Sequence, residues 1–359
     1  MIMMHTLLEE MTQKGASDLH ITAGVPPVIR VDGQIVRTDH DPVTPEAAEA
    51  LAYSLMKEDQ RKRFEQNKEM DLSFGIKGLS RFRANIFLQR GVVTMAIRSI
   101  PYQFMTMEKL GLPKIVQDLA FKPKGLVLVT GPTGSGKSTT LAALINRINE
   151  ERRCHILTIE DPIEYVHQHK KSIVNQRELN SDTHSFGAAL KFVLRQDPDV
   201  IMVGEMRDLE TIQAALTIAE TGHLVFATLH TNSTYEAVSR MVDVFPSTQQ
   251  PQILAQLAFV LEAIVTQQLI PKMRGGGRIL VPEILICNPA IKAVIREAKT
   301  HQIYSLMQAG QKFGMQTMNQ GLYAAYLSRL ISSEEAMGRS TDPRELEAMM
   351  AKVNPRAAA

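Results

Sequence analysis

The 359-residue chain has no tryptophan, few aromatic residues (5%) and only two cysteines, Cys154 and Cys287. Two thiols so far apart, with no CxxC pair, build neither a disulfide framework nor a structural zinc site, and a reducing compartment fits best. Neither sign of charge is in excess. Lys and Arg number 40 against 38 Asp and Glu, a formal net charge of +2, so no global case for nucleic-acid binding arises and any basic surface must be local. No stretch approaches the roughly 20 apolar residues of a membrane helix. The start, MIMMHTLLEEMTQKG, lacks the basic-then-apolar order of a secretory signal. The chain is expected in the cytoplasm, which leaves peripheral membrane contact open, since a protein partner can hold a soluble enzyme at a membrane. Tandem repeats are absent.

What is present is an ordinary globular composition, 44% hydrophobic and 22% charged. The length exceeds what one core usually organises, so two domains are expected. Residues 1–100 read as an α+β unit. It begins with an amphipathic helix whose Leu7, Leu8 and Met11 share a face, followed by a hairpin in VIRVDGQIV turning at Asp32-Gly33. Helices are expected from Pro45 to Met56 and from Lys57 to Asn67, then strands in DLSFGI, SRFRANIFLQ and VVTMAIRSI. PYQFMTMEKLGLP, residues 101–113, has no clean period and is bracketed by prolines, which suits an interdomain linker. In residues 114–359 the runs LVLVT, HILTI, VIMVG and HLVFATL alternate with helical stretches, the pattern of a parallel sheet covered on both faces. This makes the fold class α/β. After about Pro246 the chain reads as mainly helical, and VNPRAAA as a frayed end.

Between LVLVT and the helix-like TTLAALINRIN lies GPTGSGKST, which satisfies GxxxxGK[ST]: Gly131, Pro132, Thr133, Gly134, Ser135, Gly136, Lys137, Ser138 and Thr139. The three glycines let successive backbone N–H groups turn toward phosphate oxygens, aided by the N-terminus of the following helix. Lys137 supplies charge to the β- and γ-phosphates of ATP, the Ser138 hydroxyl suits Mg²⁺, and Thr139 begins the helix.

Hydrolysis needs a group that orients or deprotonates water. ILTIEDPIEYVH places Glu160, Asp161 and Glu164 after an apolar run, and RQDPDVIMVGEMRD places Glu205 just beyond VIMVG. Both should border the phosphates, although each acid also reads as a solvated loop end and Asp161 as a cap. Where P-loop proteins commonly carry a magnesium-holding Asp, Gly204 stands before Glu205, so metal support at Glu205 is partly indirect. ETGHLVFATLHTNS puts His223 before a strand and His230 after it. The carboxyl edge of such a sheet is where ligands bind, which favours a γ-phosphate-sensing role for His230 over a structural one and leaves His223 undecided. In SRFRANIF, Arg81, Arg83 and Asn85 alternate with Phe82, Ala84 and Ile86. The arginines read either as fingers for a neighbouring subunit's ATP or as the basic face of a solvated edge strand.

The Walker A loop, IEDPIEY, DPDVIMVGEMRD and GHLVFATLHTNS, in this order and spacing, resemble the secretion ATPases of type II secretion and type IV pili. GASDLHIT, DLSFGIKGLSRFR, VDVFPSTQQPQ and FGMQTMNQGL extend the likeness across nearly the whole chain to the PilT family of pilus retraction ATPases. The resemblance implies an N-terminal PAS-like domain, a RecA-like ATPase domain and a homo-hexameric ring with active sites between domains and adjacent subunits. It further implies Glu205 as the Walker B acid, Glu164 as the water-activating acid, and Arg81 and Arg83 in the region of the arginine fingers. The implied function is pilus retraction and twitching motility, at the cytoplasmic side of the inner membrane. The partners are a pilus platform protein and, through it, pilin.

Pilus-assembly ATPases usually add a longer N-terminal region and a tetracysteine zinc motif, which two isolated cysteines do not build. The retraction family's AIRNLIRE reads here as AIKAVIRE, residues 290–297, with Lys292, Ala293 and Val294 at the changed places. This keeps open an accessory, PilU-like role beside a paralogous ATPase. An apolar helix packing Ile291, Val294 and Ile295 inward explains the segment equally well. Two readings of other classes remain. One is a nucleic-acid translocase, which needs a basic pore. The other is a non-hydrolysing regulatory subunit, against which Glu164 and Glu205 speak.

Overall fold

The computed structural model describes residues 2–31, 33–76, 78–100, 104–274 and 276–351. Asp32 of the expected hairpin turn, residues 101–103 of the expected linker and the expected frayed end lie outside the described residues. The chain divides into two compact units, Met1–Gln103 with Glu164–Val166, and Phe104–Ile163 with His167–Ala359.

In the first unit, α1 (Met4–Gln13) buries Met4, Leu7, Leu8 and Met11, the spacing that puts four side chains on one helix face. α2 (Pro45–Leu55) starts where the Thr44 hydroxyl accepts the Ala47 N–H, with Pro45 in the first turn. α3 (Glu58–Asn67) follows. Six strands form an antiparallel sheet: β1 (Asp18–Ile21), β2 (Val28–Val31), β3 (Gln34–Arg37), β4 (Glu69–Ile76), β5 (Ser80–Gln89) and β6 (Val92–Ile100). Their order is β3-β2-β1-β6-β5-β4. β2 and β3 pair with Val31 opposite Gln34, the register of a tight hairpin. β1, which the sequence did not announce as a strand, pairs with both β2 and β6.

On β5, Phe82, Ala84 and Ile86 are buried, while Arg81 is half-buried and Arg83 exposed. The alternation is as the sequence read it, but β5 is no edge strand, because it lies between β6 and β4. The basic residues therefore have no free backbone edge to protect.

The second unit is built on a seven-stranded sheet: β7 (Gly125–Thr130), β8 (His155–Glu160), β9 (Ile173–Glu178), β10 (Val200–Val203), β11 (Leu224–Leu229), β12 (Leu261–Pro271) and β13 (Arg278–Ile286). The order is β13-β12-β7-β11-β10-β8-β9, parallel throughout except for β13. Every residue of β7, β10 and β11 is buried, which is why these strands read as unbroken apolar runs. Alternate residues of β7 serve two cores. Val127 and Val129 pack with Leu144, Ile145 and Ile148 of the helix after the phosphate loop, while Leu126 and Leu128 join the core on the opposite face.

The helices of this unit are α4 (Lys114–Gln117), α5 (Lys137–Glu151), α6 (Phe186–Val193), α7 (Leu209–Glu220), α8 (Thr234–Asp243), α9 (Gln250–Val260), α10 (Pro289–Arg296), α11 (Ile303–Ala309), α12 (Met318–Leu327), α13 (Ser333–Arg339) and α14 (Pro343–Ala351). Met107 and Leu112 are buried in the core beneath α5, so residues 104–113 pack as part of this unit.

The expectation of a mainly helical region beyond Pro246 is corrected by β12 and β13. QILAQLAFVLEAIVTQQLI carries no Gly, Pro, Asn or Asp where α9 ends, and its apolar run does not announce the change. β12 forms because it completes the backbone pairing of β7, with β-branched Ile264, Val265 and Thr266 suited to the pleat.

Candidate functional site: a phosphate loop at the carboxyl edge of the sheet

The loop from Gly131 to Gly136 joins β7 to α5. Gly131 has φ +136°, and a Cβ there would sit 2.5 Å from the backbone oxygen of Gln267 and 2.7 Å from Ser135 Oγ. Only glycine lets the loop pass this close to β12. Gly134 and Gly136 also have positive φ, 80° and 90°. β12 supports the loop from below: Gln267 Nε2 donates to Thr140 Oγ1 (2.7 Å), and the hydroxyls of Thr130 and Thr266 meet at 2.7 Å. Lys137 is buried, its ammonium donating to the carbonyls of Gly131 (2.8 Å) and Pro132 (3.1 Å). Ser138 is half-buried in the first turn of α5, where backbone N–H groups have no intrahelical acceptor.

The parallel register brings further groups to the same edge. Thr130 pairs with Leu229, the residue before His230, and Val203 pairs with both Ala227 and Ile159, so the strand ends at Glu160, Glu205 and His230 are neighbours. Glu205 Oε1 accepts from Arg207 Nε (2.5 Å) and lies 3.0 Å from His230 Nε2. Burial pushes the Glu205 carboxyl up, but the Arg207 hydrogen bond and the charges of His230 and Arg207 outweigh it and hold it below its ordinary range. Glu160 is buried, its Oε1 accepting from the Thr158 hydroxyl (2.6 Å) and Gln176 Nε2 (3.0 Å).

At Gly204 a Cβ would lie 3.1 Å from the Ile159 oxygen and 3.2 Å from Glu160 Cα, a tight fit against the end of β8, and the acid stands one residue later, at Glu205.

Not every candidate gathers here. Glu164 is exposed and groups with the first unit, as do Arg81 and Arg83. Arg83 faces Asp71 of β4 at 3.8 Å. Asp161 is exposed in the turn after β8. His223 sits at the amino end of β11, with Nδ1 near the Thr221 hydroxyl (3.1 Å) and the Ile218 carbonyl (3.2 Å), where it closes the turn from α7. In AIKAVIRE, Ile291 and Ile295 are fully buried and Val294 packs on the core. Lys292 reaches Glu262 (3.1 Å), which also pairs with Lys122 (2.8 Å).

Two features escaped the sequence. The first is a cavity of about 680 Å³ beside the loop, lined by Thr139 and Thr140 of α5, Met105 and Leu110, Leu269 of β12, and Arg278 of β13, with Ala324 and Ser328 near the far end of α12. Its size suits a ligand of drug-like dimensions. The second is Glu283, buried within the apolar run VPEILI. Its Oε1 accepts the Thr234 N–H (2.7 Å) and hydroxyl (2.9 Å), and Oε2 accepts the Met318 N–H (3.1 Å). Burial raises its pKa against these donors. It thereby ties the start of α8, just after the His230 loop, to α12 on the cavity wall.

The loop and cavity fit a nucleoside triphosphate. The glycines admit phosphate close to the backbone, and Ser135 of the loop carries a buried hydroxyl oxygen with no hydrogen-bond partner among the described residues. The oxygen donors at Ser138 and Glu205 fit magnesium, a hard cation that takes one or two protein oxygens along with phosphate oxygens.

Known proteins resemble the chain over nearly its whole length. The chain is 49% identical over 337 residues to the type IV pilus retractation ATPase PilT of Pseudomonas aeruginosa, covering 94% of this chain and 98% of that protein. It is 43% identical over 344 residues to the type IV pilus ATPase PilU of the same organism, covering 96% and 90%. The crystal structure of the pilus retraction motor PilT with bound ADP superposes with a TM-score of 0.91 at 53% identity, over 97% of this chain and all of that one. The family model described as type II/IV secretion system protein matches residues 1–338, from before α1 into α13. A match of that extent leaves no part of either sheet outside it, and the chain belongs to the type II/IV secretion system protein family.

Proposed function

We propose that the chain is an ATPase that drives retraction of type IV pili, working as a homo-hexameric ring. The observation that carries this reading is the phosphate loop itself: Gly131 pressed against β12, Lys137 buried over its carbonyls, and Glu205 with His230 on the neighbouring strand ends. The triphosphate lies along the loop and the nucleoside in the adjoining cavity. Ser138, and Glu205 through water, are the residues that would hold Mg²⁺, which neutralises charge on the β- and γ-phosphate oxygens when bound.

Lys137 stabilises the negative charge of the transferred phosphoryl. Glu164 orients and deprotonates the attacking water, and His230 reports the γ-phosphate through its contact with Glu205. Arg81 and Arg83 are the arginine fingers, in a PAS-like first domain. Residues 1–100 form one domain and residues 114–359 the other, with 104–113 packed onto the second rather than left as a free linker, and ATP turnover in the ring displaces a central platform protein of the inner membrane. No helix among the described residues is long and apolar enough to cross a membrane. The accessory reading draws on two observations, the likeness to PilU and the AIKAVIRE sequence of α10.

The test is ATP hydrolysis by the purified chain and by Glu205→Gln, with particle mass measured with and without nucleotide. Hexamers whose turnover falls at least about a hundred-fold on substitution support the motor. A wild type that does not hydrolyse ATP sinks the catalytic assignment in favour of a regulatory subunit, and turnover stimulated by added DNA favours a translocase.

A further inference from the structure

The stretch between β8 and β9 carries Glu164, and β9 holds it at two points. The Ile163 N–H donates to Glu178 Oε2 (3.2 Å), and the His167 N–H donates to Gln176 Oε1 (2.7 Å). Glu164, Tyr165 and Val166 are the three residues between these anchors. The other end of the Gln176 amide donates to Glu160 Oε1 (3.0 Å), at the end of β8. Its orientation is dictated by the His167 N–H, which only donates and so takes the amide oxygen, leaving the NH₂ for Glu160.

The remaining anchor is equally fixed. Glu178 is buried, and its own N–H donates to Asp182 Oδ2 (2.8 Å). The Leu179 N–H returns to the Glu160 carbonyl (2.9 Å), tying the end of β9 to the end of β8. Past the second anchor, the buried His167 ring stacks on Phe104 at 4.5 Å. A turn that only needed its backbone groups satisfied could take water or its own side chains. Here two successive same-face residues of one strand, 176 and 178, reach back to both sides of a single acid-bearing tripeptide.

We propose that Gln176 and Glu178 are positioning residues for ATP hydrolysis, fixing the two backbone anchors on either side of Glu164 and hence the carboxylate that meets the attacking water. This rests on the assignment of Glu164 made above. Neither side chain touches the reacting atoms. Their effect is on the placement of one that does, and a displacement of about 1 Å at a reacting group costs on the order of a hundred-fold in rate.

The experiment uses the full-length, assembled chain and compares Gln176→Met, Glu178→Met, Glu178→Gln and Glu164→Gln. It measures kcat and KM for ATP, affinity for a fluorescent ADP analogue, and Tm. Gln176→Met and Glu178→Met are expected to lower kcat by about ten- to a hundred-fold with KM and nucleotide affinity within about two-fold. Glu178→Gln, which keeps an oxygen for the Ile163 N–H, restores most of the rate. Wild-type kcat in both methionine variants overturns the inference, as does a loss that Glu178→Gln shares in full, or one that appears only as lowered Tm and nucleotide affinity.

If Gln176→Met does not fold, the two Glu178 variants decide alone. Glu164→Gln separates the two claims. If it turns over ATP normally, the assignment of Glu164 falls and the positioning role with it. If it is inactive while Gln176→Met and Glu178→Met are not, only the positioning role falls.

Discussion

The two ends of β11 carry a histidine each, and the two are put to different uses. At the amino end, His223 bonds back to the turn it closes, its carbonyl takes the Gly125 N–H, and Glu262 pairs with both Lys122 and Lys292. At the carboxyl end, His230 faces Glu205, and the adjoining loop is drawn so tight that no side chain fits at Gly131. In a parallel sheet every strand delivers its last residue to the same edge, so chemistry gathers at that edge while the other end needs only satisfied turns.

The strongest way to break this contrast is Gly131→Ala. The added methyl would press on the Gln267 carbonyl from a backbone conformation that alanine rarely adopts, and relieving the clash must move the loop. Affinity for a fluorescent ATP analogue should fall on the order of a hundred-fold, the equivalent of about 3 kcal/mol of strain. Unchanged affinity would show that the path of the loop does not set binding.

Next in size is a pH effect confined to the carboxyl-edge segment. Burial, reinforced by the charge of Lys170, lowers the His167 pKa from 6.5 to about 4. Between those values the unfolded chain takes up a proton that the folded chain refuses, so stability is present above pH 6.5 and declines as pH falls toward 4. The ceiling is about 3 kcal/mol. Urea unfolding of His167→Phe, which keeps an aromatic ring against Phe104, should show a correspondingly shallower acid slope. An unaltered slope would place the acid sensitivity elsewhere.

The smallest effects sharpen the comparison directly. His230→Ala should lower ATP turnover about ten-fold with Tm unchanged. His223→Ala should leave turnover alone and lower Tm by a few degrees, the equivalent of about 1 kcal/mol for its lost turn contacts. Loss of turnover in the second variant would erase the distinction between the two ends.

These histidines also mark the limit of what the sequence could say. Each follows or precedes an apolar run, and nothing in HLVFATLH distinguishes a ring that closes a turn from one at a ligand edge except the direction of the sheet. The phosphate loop was legible because its function depends on backbone geometry that only glycines at fixed spacing provide. Gly204 was visible as a departure, but its tight fit against Glu160 needed the pairing of β8 with β10. The cavity was not legible, since its walls come from segments around 105–113, 139–140, 269–282 and 316–330 that share no pattern. Gln176 and Glu178 were hidden by position. They look like the polar residues of an exposed edge strand until the hydrogen bonds reveal what they hold. The helix-to-strand change at Leu261 failed for a physical reason: pairing with β7 selects the strand, and local propensity is silent.

That change at Leu261 also makes β12 and α9 behave as a single strut. The eleven residues of α9 pass into the eleven of β12 with no loop between them, and β12 carries the carbonyl against which Gly131 is pressed. A connecting loop would be a joint with play in it, able to soak up a shift of the phosphate loop before it travelled further. Here the strand meets the helix through only a register shift between Leu261 and Ala263, so a shift of Gln267 has little slack before it reaches the base of α9, beside Glu262 and α10.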